Sequence, residues 1–204
     1  MKISIIVEGK TEKVFLPSLR KFLTKKLNGT PPKLDAVPCG GRIYTGDKLK
    51  RTVENLLRGK KPADHVIALT DVYTGTEPPE FIDANEAKKK MLQWVPNEPR
   101  FHPHAAQFEF EAWLLPYWKT IQEMAKHNKT APSGAPESIN HGNPPSHRIQ
   151  EIFELGRCRE SYSKPRDAKA ILDRNDLSIA IEKCGELKAL VNTILKICGE
   201  DLIA

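Results

Sequence analysis

Carboxylates follow three of the predicted strands, at the point where each strand ends. Glu8 comes directly after the apolar run 3–7, and Asp71 ends the apolar stretch that begins at residue 65. Glu109 and Glu111 follow a weaker fourth strand. Because the carboxyl ends of parallel strands meet at one edge of a sheet, we expect these side chains to converge. Carboxylate oxygens suit a hard cation such as Mg²⁺, and that ion supports phosphodiester chemistry.

The stretch around Glu8 also contains Gly-Lys-Thr, which is the tail of a nucleotide-binding P-loop. That motif requires a glycine five positions before Gly9, but this chain has Ser4 there, followed by three β-branched residues that favour a strand. We therefore interpret the segment as a buried strand, a turn at Gly9 and a helix from near Thr11. A solvated turn residue is the alternative role for Glu8, and Glu12 is expected to complement the helix N-terminus.

The elements that must position these carboxylates alternate along the first half of the chain. Hydrophobic periodicity predicts strands at 3–7, 34–38, 65–71 and 100–107, with helices between them. The order βαβαβαβ predicts an α/β fold with a largely parallel sheet and helices on both faces. Pro17 predicts a kink or a delayed start in the first helix. Pro103 predicts that the fourth strand lies at an edge or contains a bulge.

The segment 108–115 fits either a strand or a helix by its alternation alone. A strand would turn Glu109 and Glu111 to the same side. A helix would point them about 200° apart, so that only one could reach the site. We expect a helix from near Phe108, with Glu111 in the site and Glu109 in the first turn outside it.

Composition sets the domain plan and the class of partner. For 204 residues we expect an α/β domain over 1–128, a long Pro-, Gly- and Ser-rich loop over 129–147, and a helical extension over 148–204 packed on the same domain. A net charge of +6 favours nucleic acid as a partner, with ordinary basic solubility as the alternative. The 4 cysteines are widely spaced, as in reduced proteins. With neither a signal peptide nor a membrane-spanning run, we expect a cytoplasmic protein with no membrane partner.

Short motifs along nearly the whole chain carry a resemblance to a known family. In chain order they are Val7-Glu8-Gly9, Thr11-Glu12, Asp71-Val72-Tyr73 with Gly75, Glu109-Phe110-Glu111-Ala112, Pro136-Glu137-Ser138-Ile139-Asn140, Ser146-His147-Arg148-Ile149 and Tyr162-Ser163-Lys164. Together they resemble the DUF4276 family, which is similar to the topoisomerase–primase (Toprim) domain and to OLD-type nucleases of bacterial anti-phage defence. The resemblance implies a Toprim-like, mostly parallel four-stranded sheet with helices on both faces and a helical C-terminal extension.

The resemblance also implies roles for the acidic residues. By matching position, Glu8 is the general acid/base or a metal-proximal carboxylate, Asp71 is a metal ligand, and Glu111 and Glu109 are further acidic members of the site. The implied activity is a nuclease acting on DNA or RNA with Mg²⁺ or Mn²⁺, in a bacterial defence or toxin-like role. The alternative is a non-catalytic nucleic-acid-binding or regulatory module that works with an ATPase partner. A homodimer is left open.

Two residues depart from the patterns that the resemblance suggests. Tyr73 stands where the broad Toprim pattern has a second Asp, although the narrower family accepts Tyr. Phe108 stands where relatives often carry His. The departures leave the expected fold intact and bear on catalysis.

Basic residues outside the acidic set are candidates for contact with nucleic acid. The segment 157–166 is the expected basic patch, and a solvated helical face is its alternative. The predicted nucleic-acid-binding residues are Lys10, Arg148, Arg157, Arg159, Lys164 and Arg166. His102 and His104 alternate along the fourth strand and are expected to be surface or groove histidines rather than metal ligands.

Overall fold

The computed structural model describes residues 1–73, 79–139, 143–157 and 161–204. Within these ranges the chain forms a four-stranded sheet with the order β2-β1-β3-β4, and every neighbouring pair is parallel. The strands are β1 (Lys2–Val7), β2 (Lys33–Pro38), β3 (His65–Asp71) and β4 (Phe101–Ala106). Pro103 lies in β4 at an edge of the sheet, which confirms the prediction made from its missing N–H.

The other regular elements of the described chain are helices. They are α1 (Lys10–Lys26), α2 (Gly46–Arg58), α3 (Ala84–Trp94), α4 (Trp118–Ala125), α5 (Pro145–Gly156), α6 (Lys164–Asp173), α7 (Leu177–Lys183) and α8 (Gly185–Ile197), with short 3-10 helices at Phe110–Tyr117 and Pro136–Ser138. No helix among the described residues is long and apolar enough to cross a membrane.

The start of α1 is fixed by a side chain and not delayed by proline. The Glu12 carboxylate accepts a hydrogen bond from the Gly9 N–H at 2.8 Å. This bond satisfies one of the backbone donors that a helix start leaves without a partner. The helix therefore begins at Lys10 and continues through Pro17, so the expectation of a delayed start was wrong.

Two hydrophobic clusters cover the two faces of the sheet. Ile3, Ile5 and Val7 of β1 belong to the cluster that contains α1 and the helices after β4. Ile6 belongs to the other cluster, with α2 and α3. Because successive side chains of a strand point to opposite faces, this division confirms helices on both sides of the sheet.

The parallel register brings the strand ends together. Val7 of β1 pairs with Leu69 of β3, and Asp71 at the end of β3 pairs with Ala106 of β4. Glu8, Asp71 and the residues that follow β4 therefore emerge at the same edge of the sheet.

Candidate metal and nucleic-acid site

Glu8 is held at the end of β1 by donors from the neighbouring strand. Its Oε1 accepts a hydrogen bond from the Asp71 N–H at 3.0 Å and another from the Thr70 hydroxyl. The side chain is buried, with the residue only 6% exposed. Burial, followed by the charge of Glu12, raises the pKa of Glu8 to about 7, although the hydrogen bonds oppose that shift. Glu8 is therefore a fixed and partly desolvated carboxyl group.

Asp71 joins the end of β3 to the segment after β4. Its Oδ1 accepts a hydrogen bond from the Phe110 N–H at 2.9 Å, at the first residue of the 3-10 helix. Loss of solvent around the carboxyl raises its pKa well above the usual range, and the charges of Glu8, Glu12 and Glu111 raise it further. The acidic groups therefore act on one another, as the convergence of strand ends predicts.

The segment after β4 turns sharply before it becomes helical. Phe108 has a φ of 67°, in the left-handed region that non-glycine residues rarely occupy. Glu109 is extended, and the helix begins at Phe110 as a 3-10 helix. The expected helix is thus present, but it begins at Phe110, two residues later than predicted, and it is a 3-10 helix.

Glu109 and Glu111 share one cationic neighbour. The Lys164 ammonium lies 3.3 Å from Glu109 Oε1 and 3.3 Å from Glu111 Oε2. Both carboxylates reach the same group because Glu109 precedes the helix in extended backbone, so the expectation that helix geometry separates them does not hold. Burial raises the pKa of Glu111 to about 6, against the opposing charge of Lys164. The Tyr162 hydroxyl also donates to Glu111 Oε1, at 3.3 Å.

The donor set fits a hard divalent cation by its chemistry. Glu8, Asp71 and Glu111 offer oxygen ligands, and burial raises the pKa of each because the charged form loses solvent. A bound cation would stabilise the charged forms of these groups. As the side chains stand, no group of three His, Cys, Asp or Glu residues in the described chain is arranged to hold a metal ion. Mg²⁺ commonly binds only one or two protein carboxylates and keeps several waters, so a pair such as Glu8 and Asp71 has the ligand chemistry that this ion requires.

The two residues that depart from the related patterns contact each other. The rings of Tyr73 and Phe108 have centroids 5.4 Å apart, and the Tyr73 N–H donates to the Phe108 carbonyl at 2.8 Å. An aromatic pair therefore occupies the two positions at which the related patterns have Asp or, often, His.

The predicted nucleic-acid residues lie in separate places. Lys10 and Lys164 line one cleft of about 630 Å³, together with Lys13 and the Gly40–Gly41 turn. Arg166 is exposed, and its Nε lies 3.0 Å from Asp167 Oδ1.

The remaining predicted arginines are close to α5 or outside the described residues. Arg157 is exposed and caps the C-terminus of α5 in the left-handed region. Arg148 lies in the first turn of α5, and its buried Nε has no hydrogen-bond partner in the part of the chain that the structure describes. Arg159 falls outside the described residues. The structure thus gathers Lys10 and Lys164 beside the acidic edge, while the arginines remain a prediction.

Comparison with known proteins agrees with this architecture. The model of the family described as "Domain of unknown function (DUF4276)" matches residues 7–195. The C-terminal region of the Burkholderia pseudomallei OLD protein matches with a TM-score of 0.51 and 14% identity, over 96% of this chain and 98% of that chain. The C-terminal region of the Xanthomonas campestris pv. campestris OLD protein matches with a TM-score of 0.49 and 15% identity, over 97% and 94%.

No curated protein matches the chain. At 14% identity, the likeness to the Burkholderia OLD region concerns the fold. The family model spans most of the sequence and includes Glu8, Asp71, Glu109 and Glu111. The chain therefore belongs to the DUF4276 family and has a Toprim-like α/β fold.

Proposed function

We propose that this protein is a metal-dependent nuclease acting on DNA or RNA. The observation that carries the proposal is the convergence of Glu8, Asp71 and Glu111 at one sheet edge, beside a cleft lined by Lys10 and Lys164. Carboxylates suit a divalent cation, and ammonium groups suit the phosphates of the substrate. The net charge of +6 supports an anionic substrate.

The residues divide the work according to their surroundings. Glu8 and Asp71 would hold Mg²⁺ or Mn²⁺, and Glu111 with Glu109 would add negative charge nearby. When bound, such an ion supplies Lewis-acid stabilisation and an activated water for phosphodiester hydrolysis. Glu8 is held by the Thr70 hydroxyl and the Asp71 N–H, so its carboxyl group has a fixed direction from which to hold or accept a proton.

A non-catalytic nucleic-acid-binding or regulatory module is the second candidate. The Tyr73–Phe108 pair favours it, because aromatic rings replace polar groups beside Asp71. The ion pairs of Lys164 with Glu109 and Glu111 favour it as well, because they neutralise part of the acidic charge. Such a module would work with an ATPase partner. A bacterial defence or toxin-like role is compatible with either candidate.

The deciding experiment incubates the pure protein with plasmid DNA, single-stranded DNA and total tRNA, each in Mg²⁺, Mn²⁺ or EDTA. A nuclease of the proposed kind cleaves at least one substrate with a divalent ion and none in EDTA. Binding of these substrates without cleavage in either ion would support the module instead. Undiminished cleavage in EDTA would contradict metal dependence.

A further inference from the structure

The loop between β2 and α2, residues 39–45, contains two consecutive glycines at its exposed turn. Gly40 has a φ of +85° and Gly41 a φ of +122°, both in the region that favours glycine. A Cβ built on either residue would meet no atom within 4 Å. The backbone conformation therefore requires glycine here, and the space above the two residues is open to a ligand.

This loop is attached to the end of β1, where Glu8 lies. The Gly41 N–H donates to the Glu8 carbonyl at 2.7 Å, and the Cys39 N–H donates to the Val7 carbonyl at 2.8 Å. The backbone of Ile43 also hydrogen-bonds to the Glu8 carboxylate. A ligand lying on the loop is consequently close to the acidic edge.

Two cavities share the glycine turn in their linings, and together they are called the groove. A cavity of about 450 Å³ is lined by residues 39–45 and Lys48. The cleft of about 630 Å³ that contains Lys10, Lys13 and Lys164 shares Gly40 and Gly41 with it. Each volume lies within the roughly 300–1,000 Å³ that is typical of pockets for drug-sized ligands. A space of this size suits one or two nucleotides of a single strand, whose unpaired backbone can follow the cavities closely.

Positive charge lines both sides of this groove. Lys10 and Lys13 are exposed on the first turn of α1, and neither forms an ion pair with a carboxylate in the described ranges. Arg42 and Lys48 lie on the other side. The Lys48 ammonium lies 3.9 Å from the centroid of the Tyr44 ring, a cation–π contact that holds it beside the groove.

We propose that this groove, defined by Lys10, Lys13, Gly40, Gly41, Arg42 and Lys48, binds the sugar–phosphate backbone of a single-stranded nucleic acid. The strand runs over the glycine turn and passes Glu8. The cationic side chains contact successive phosphates, and the open glycine backbone allows close approach. The inference rests on the proposed function and names the substrate class of that same site.

The test measures binding of a fluorescent single-stranded 12-mer, as DNA and as RNA, by anisotropy in EDTA so that no cleavage occurs. A loop variant, Arg42→Ala with Lys48→Ala, is compared with a control, Lys60→Ala with Lys61→Ala, which removes the same charge from the exposed segment between α2 and β3. We expect the loop variant to bind about tenfold more weakly, with a salt dependence reduced by about 0.7 for each lost phosphate contact. The control is expected to change affinity less than threefold.

Other outcomes overturn the inference. An equal loss in the loop variant and the control would show that only net charge matters. Tighter binding of the matching duplex than of either single strand would exclude the proposed substrate class, as would wild-type protein that binds neither strand. If the loop variant fails to fold by circular dichroism, Lys10→Ala with Lys13→Ala tests the same groove from α1.

The cleavage assay separates failure of this inference from failure of the nuclease proposal. If the protein binds single strands through the loop but never cleaves them, the groove inference is supported and the nuclease proposal is contradicted. If the protein cleaves and the loop variant binds like wild type, the nuclease proposal is supported and the groove inference is contradicted.

Discussion

Acidic residues at the two ends of the sheet differ in their exposure to solvent. Towards the amino ends of the strands, Asp64 accepts a hydrogen bond from the Lys2 N–H at 2.7 Å, and Asp35 lies 3.6 Å from the Lys2 ammonium with its side chain 33% exposed. At the carboxyl ends, Glu8 is 6% exposed and Glu111 is 1% exposed. Asp64 and Asp35 are accessible to solvent, and Asp35 lies beside a lysine ammonium. Glu8 and Glu111 are buried near other carboxylates, and Lys164 is the cation beside Glu111.

The exposed acidic residues have little effect on the stability of the fold, whereas the buried ones lower it. Exposed ion pairs contribute roughly 0–1 kcal/mol and are readily replaced. Buried carboxyl groups with raised pKa values reduce the stability of the folded state, and such groups concentrate at functional sites. The proposed chemical role would account for buried acidic residues at the carboxyl edge, and no such role is needed at the amino ends.

The largest expected effect is on cleavage by Glu8→Gln. This substitution keeps the shape of the side chain and removes its charge, so the proposed cleavage rate should fall by at least about 100-fold. Asp35→Asn is the matched control at the other end of the sheet and should cleave like wild type. Rates come from a plasmid or oligonucleotide assay, with thermal melting to verify the fold. Full activity in Glu8→Gln would show that Glu8 is no more important for cleavage than Asp35 at the other end of the sheet.

A buried polar group away from the carboxyl edge should affect stability and not cleavage. His104 Nε2 lies 3.0 Å from the Thr193 hydroxyl of α8, and burial, followed by the charges of Lys88 and His102, lowers its pKa from 6.5 to about 3. Below pH 6.5 the unfolded chain binds a proton that folded His104 does not bind. Acidification from pH 6.5 towards 3 therefore lowers the unfolding free energy by about 1.4 kcal/mol per pH unit at most.

Urea denaturation of wild type and His104→Gln at several pH values between 4.5 and 7.5 measures this slope. His102, whose pKa is lowered to about 4 by burial and by His65 and Lys196, adds to the wild-type slope and remains in the variant. The variant should show a shallower slope and unchanged cleavage at pH 7.5. Identical slopes would exclude His104 as a source of acid sensitivity.

A smaller effect is expected from the cation at the acidic edge. Lys164→Ala removes the counter-charge of buried Glu111, so the unfolding free energy should fall by about 1–3 kcal/mol. The range is modest because the Lys164 side chain is 45% exposed. Adding Glu111→Gln should restore part of the loss, since the more buried of the two carboxylates that lost their cation is then neutral. Additive losses in the double variant would show that the two side chains are not coupled.

The position of the central strand β3, the edge position of β4 and the start of α1 could be predicted from local sequence. The run from His65 to Asp71 is apolar and ends in a carboxylate, and β3 has those same bounds. Pro103 indicated the edge position of β4 because proline lacks a backbone donor. Glu12 was expected at the helix N-terminus, where it accepts the Gly9 N–H. These features depend on neighbouring residues, so local patterns contain them.

Features set by distant contacts could not be predicted in this way. Lys164 lies more than fifty positions after Glu109 and Glu111 in sequence, and nothing local to α6 places its ammonium between them. Phe108 has a left-handed backbone, which sequence usually indicates by a glycine, and this position has none. His104 was expected at a surface or groove, but α8 covers it, which only the packing of the last helix on β4 determines.

Binding of Mn²⁺ measured by titration calorimetry tests the central claim most directly, because it requires neither a known substrate nor a known partner. Wild type, Asp71→Asn and the control Asp35→Asn are compared at the same protein concentration. The proposed site predicts Mn²⁺ binding in wild type and in Asp35→Asn, and a loss of at least about tenfold in affinity in Asp71→Asn. Absence of binding in wild type, or equal binding in all three proteins, would contradict a metal site at the carboxyl edge of the sheet.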